Sequence, residues 1–137
     1  MITNNHVMQA NNAILESLEI PALKQSLTMI PVKLAELRKL KVSLLKAKAD
    51  AQTAVDMAER PIRTIAIEDG KNKEHREALA AERIAADPGC LRAQRALDAL
   101  ELEIGNLNVD IQALDDRFTA ACHISDLTSN ELRLLSR

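Results

Sequence analysis

The chain has 137 residues, 47% of them hydrophobic, and its 18 basic and 20 acidic side chains leave a formal net charge of −2. That is one domain's length with enough apolar material for a shared core, and it excludes a whole-protein field drawing in nucleic acid or an acidic membrane. Trp and Tyr are absent, Phe occurs once and Gly three times, so Leu, Ala, Ile and Val must do the packing, and they suit helices laid side by side better than strands. The expected fold is all-α: an antiparallel hairpin of two long, coiled-coil-like helices with short flanking helices, a form of helical bundle.

In chain order, residues 3–20 place Val7, Ile14 and Leu18 on one face, with Met8 and Leu15 beside it, which predicts a modest amphipathic helix. The first six residues lack the basic and apolar stretches of a signal peptide, and no later run approaches the roughly 20 apolar residues of a membrane span, so a soluble cytoplasmic protein is expected. Pro21 and Pro31 punctuate the next stretch. Proline fits a first helical turn but not an interior, so residues 22–30 read as a short separate element and the first long helix is expected to begin near Pro31.

From residue 32 to 60 the three-four spacing picks out Leu37, Leu40, Leu44, Ala47, Ala51, Ala54 and Ala58, the average period of a left-handed supercoil. Either a hairpin within the chain or a seam between chains accounts for it. Arg60-Pro61 is expected to break or kink the helix, with an ordered connection over Ile62, Ile65 and Ile67, either a short extended stretch or one irregular helical turn. Asn72 is a candidate N-cap for a short helix running to about Ala86, and Asp87-Pro88-Gly89 a turn.

The second long helix carries the strongest pattern: Cys90, Ala93, Leu97, Leu100, Ile104, Leu107, Ile111, Leu114, Phe118 and Ala121 in unbroken alternation. Gly105 inside it allows a bend or a close contact. Thr128-x-x-Glu131 resembles a capping box opening a last short helix after a turn at residues 125–127. One helical domain, 1–137, is thus expected, divided into an N-terminal segment 1–30, a first long helix 31–60, a connection and short helix 61–89, a second long helix 90–124 and a C-terminal short helix 125–137.

Charge supplies an independent match between the long helices. Lys33, Arg38, Lys39, Lys41, Lys46 and Lys48 crowd the start of the first, while Asp98, Glu101, Glu103, Asp110, Asp115 and Asp116 fill the second. Antiparallel pairing sets these opposite each other. The six basic residues are also the one candidate ligand site, for a phosphate-type anion. A solvated face paired with acidic residues explains them as well, and the chain lacks the aromatic platform typical of single-strand binders.

His6, His75 and His123 are scattered and no Cys or His pair has zinc-finger spacing, so no metal and no cofactor is expected. Cys90 and Cys122, roughly 48 Å apart on one helix, read as reduced cysteines. No Walker loop, GxGxxG or GxSxG occurs, nor any constellation of nucleophile, base and orienting group, so no enzyme and no catalytic residue is expected.

Asp69-Gly70-Lys71-Asn72-Lys73-Glu74-His75-Arg76, followed by an Ala/Leu/Glu-rich stretch and a long heptad helix, resembles small helical coiled-coil accessory proteins of tailed bacteriophages and prophages. The resemblance covers about the second half of the chain. It implies a phage-encoded factor in the host cytoplasm and carries over no catalytic residue. The expected function is a non-enzymatic interaction protein, self-associating and binding or blocking a host or phage protein. The alternative is an oligomeric anion binder that sequesters a nucleotide signal or binds nucleic acid in recombination or anti-defence. A homo-oligomer is expected because Val42, Leu45, Val55, Leu102 and Val109 fall off the main seams.

Overall fold

The computed structural model describes residues 20–136. The expected N-terminal helix over residues 3–20 lies, but for Ile20, outside them. Three helices follow in order: α1 (Ile20–Asp69), α2 (Lys73–Ala86) and α3 (Pro88–Leu135). All the described secondary structure is helical, as the composition demands. The long pair runs antiparallel with a shorter helix between, an all-α bundle.

The described residues form two compact units: residues 20–38 with 109–136, and residues 39–108. In the first, Ile30, Leu34 and Ala121 are buried and Leu114 and Phe118 half-buried. Apart from Phe118 its packing is aliphatic, and Arg38 reaches Asp115 across the helix pair. In the second, the core is Val55, Ala66, Ala80, Cys90, Leu97, Ile104 and Leu107.

Several expected boundaries are corrected. Neither Pro31 nor Pro61 ends a helix: α1 runs through both for 50 residues. Each interior proline removes one backbone hydrogen bond and costs about 3 kcal/mol. Beside Pro31 sit Ile30 and Leu34, both buried, and burying two such side chains contributes about 1.5–3 kcal/mol each. Packing therefore outweighs the local break. There is likewise no separate element over residues 22–30, no separate connection after Arg60, and no turn at residues 125–127: α3 continues to Leu135. Thr128 is half-buried in that helix and caps nothing.

The seam of α3 is the expected one, with all ten positions buried or half-buried. The seam of α1 is partly different. Its covered stripe is Ile30, Leu34, Leu37, Lys41, Leu44, Lys48, Ala51, Val55, Ala58, Ile62 and Ala66, ten steps averaging about 3.6 residues, the period of a straight helix. Leu37, Leu44, Ala51 and Ala58 keep their places, and Ala47 is half-buried beside the stripe. Leu40 and Ala54 turn outward and Val55, expected to lie off the seam, is 4% exposed. The physical reason is the bulk of Val55 and Ile62, which this line covers and the alanine line does not.

The corners between helices are short and tightly capped. Gly70 packs where an added Cβ would stand 2.9 Å from Arg76 Cα and 3.0 Å from the Ala66 carbonyl oxygen. Asn72 Oδ1 accepts the His75 N–H at 2.8 Å, the expected N-cap of α2, and His75 Nδ1 accepts the Lys71 N–H at 3.0 Å. The expected three-residue turn at 87–89 contracts to one residue. The Asp87 N–H donates to the Ile84 carbonyl, closing α2, while its Oδ2 accepts the Cys90 N–H at 2.8 Å, opening α3. Pro88 then occupies the first helical position, where its missing N–H is no loss.

Candidate functional site

The six basic residues divide between the two units. In the first unit, Lys33 Nζ lies 3.9 Å from Glu36 Oε2 on its own helix, and Arg38 Nη2 lies 3.2 Å from Asp115 Oδ1. In the second, Lys48 Nζ lies 3.9 Å from Glu101 Oε1. Arg38 and Lys48 thus meet the acidic helix in the antiparallel sense that charge predicts. All three pairs are largely solvent-exposed, so each contributes at most about 1 kcal/mol.

Lys41 is half-buried on the covered stripe, as is Lys48. At such positions the four-carbon stem lies along the apolar partner and the ammonium reaches water. Lys39 and Lys46 are exposed and have no ion pair among the described residues. Seven residues apart, they share one stripe of α1. Of the four lysines between residues 39 and 48, only Lys48 has an ion pair among the described residues, and Lys39 and Lys46 are the two that stand exposed.

The cysteines and histidines do not converge. Cys90 is buried and Cys122 half-buried, both as free thiols. Burial pushes the Cys90 thiol above its ordinary range, reinforced by the neighbouring Asp87 carboxylate, the reverse of what a reactive thiolate requires. Asp87 is shifted the other way: the Cys90 backbone N–H first, then the Cys90 thiol, the Gly89 N–H and Arg92, hold its carboxyl below the usual value. His75 is engaged in the α2 cap, His123 is exposed on α3, and His6 lies outside the described residues. Among the described residues no group of three or more His, Cys, Asp or Glu is placed to hold a metal.

Sequence reasoning did not anticipate the double role of Asp87. The signal was present in Asp-Pro-Gly, which reads as a turn and equally as an N-cap followed by a first-position proline. No helix among the described residues is long and apolar enough to cross a membrane. No family model matches this chain, and neither a curated protein nor a solved structure matches it.

Proposed function

We propose that the protein is a non-enzymatic helical interaction protein that associates with itself and binds or blocks a macromolecular partner. The observation that supports this reading is apolar surface arranged in helical register. On α3 the seam spacing continues beyond Ala121 through Ser125 and Thr128 to Leu132 and Leu135, which are exposed. On α1, Val42 and Leu45 stand one turn apart and exposed, Val42 to 68%. Large side chains left in water at seam spacing gain by meeting another helix, and a second copy with twofold symmetry is the commonest way to supply one. The phage or prophage setting rests on the sequence resemblance alone.

Light scattering coupled to size exclusion tests self-association. A mass about twice the 15.1 kDa chain is expected, falling when Leu132 and Leu135 are both replaced by Gln. A mass of one chain persisting at high concentration defeats the reading. The anion-binding alternative is favoured by the uncommitted charges of Lys39 and Lys46. Reversing both to Glu should abolish any salt-sensitive nucleotide or nucleic-acid binding while the chain stays folded.

A further inference from the structure

The register of the first unit leaves the end of α3 without a neighbour. Ala22, Leu23 and Ser26 of α1 border one groove with Ala120, Ala121 and Ile124 of α3, so the start of α1 stands level with Ile124. Residues 125–135 run on past it for about 16 Å of helix, and Leu127, Leu132, Leu134 and Leu135 in that overhang are exposed. On the other side of Ile124 the flank of the helix pair is hollow. Two open grooves of about 490 and 260 Å³ share Ala22, Ser26 and Arg117, and together they run along α1 from Ala22 to Lys33 and along α3 from Leu114 to Ile124. The hollow is as long as the overhang. Met29 and Ile124 on its walls are more than half exposed, and no carboxylate lines it. Of its two cations Lys33 lies near Glu36, whereas Arg117 has no ion pair among the described residues.

The sequence of this stretch is complementary to its own reversal. Arg117, Ile124 and Glu131 follow one another every seven residues and so share one stripe of α3. A second copy of α3 turned end for end about Ile124 sets Glu131 against Arg117 and Arg117 against Glu131, both exposed and opposite in sign. Three residues to either side it sets Leu127 against Ala121, and eleven to either side Leu135 against Ala113, large against small each time. Turned about Ser125 instead, Arg117 would meet Arg133. Pairing of i with j and of j with i is what a twofold interface requires.

We infer that the occupant of this groove is the end of α3 from a second copy of the chain, antiparallel to the α3 that lines it, with Ile124 on the twofold axis and Arg117 paired to the partner's Glu131. The inference rests on the self-association proposed above and supplies its geometry: each overhang fills the other copy's groove.

Light scattering coupled to size exclusion, run over a concentration series on the full chain, tests the pairing. Arg117→Glu and Glu131→Arg each bring like charges together twice about the axis, and each should weaken dimerisation about tenfold. Both positions are exposed, so helix content by circular dichroism should not change. The double variant R117E/E131R restores opposite signs and should regain the native mass profile. Dimers of native strength in both single variants, or a double variant no stronger than either single one, overturn this pairing and leave self-association to another surface. A native chain that stays at one-chain mass overturns the pairing and self-association together.

Discussion

Glycine and alanine differ by one methyl group, and at Gly105 and Gly70 that methyl meets opposite surroundings. Around Gly105 nothing lies within 4 Å of an added Cβ, so the residue makes no close contact and only lowers helix propensity. Gly105→Ala should raise stability by about 1 kcal/mol. At Gly70 the methyl would press on the backbone of Arg76 and Ala66, and Gly70→Ala should cost about 1–3 kcal/mol. Urea unfolding of both variants checks the pair, and a shared sign would contradict the geometry. Asp87 gives a pH-dependent counterpart. Its folded carboxyl value is depressed, so the folded chain binds fewer protons there than the unfolded one. Its contribution is full above the unfolded value, about 3.9, and is lost as pH falls through the folded value. The melting-temperature gap between the native chain and Asp87→Ala should therefore be widest near neutrality and narrow in acid. A gap constant down to about pH 2 would mean the cap is not carried by the charged carboxylate.

For whole helices the informative disagreement is in α1. Leu40 and Val55 are both aliphatic, and heptad counting from Leu37 prefers the first. The structure leaves Leu40 48% exposed and Val55 4% exposed. Val55→Asp should thus cost at least about 3 kcal/mol by burying an unpaired charge, whereas Leu40→Asp should cost about 1 kcal/mol or less. Chemical unfolding of the two variants decides between the stripes, and the reverse order would restore the alanine line. On α3 no such ambiguity arises, because large apolar residues fill nearly every position of one stripe and their neighbours on either side are mostly charged or small.

For the whole chain, the exposed ion pairs are too weak to hold the helices together, and the buried aliphatic and cysteine side chains carry the fold. What they leave uncovered matters as much. The exposed leucines at the end of α3 and the Val42–Leu45 pair on α1 are the basis of the proposal that the chain self-associates. They belong to different units, so the two surfaces make separate demands on a partner. A partner covering only one of them would leave the other to be tested by the same scattering experiment on single-surface variants.

The sequence by itself determined the helical class, the antiparallel sense of the long pair, the entire seam of α3 and the Asn72 cap, because each rests on local periodicity, on short-range hydrogen bonding or on opposite charge. Tertiary structure alone decided that helices continue through Pro31, Pro61 and Ser125, and that Val55 displaces Leu40. Those outcomes depend on how much apolar area a distant helix covers, and a local proline penalty of about 3 kcal/mol is smaller than two buried aliphatic side chains at the upper end of their range. The fate of the basic residues followed the same division. Their charge excess was legible, as was the local Lys33–Glu36 spacing, but which residues would meet Asp115 and Glu101 and which would be left in solvent depended on the register of the two helices.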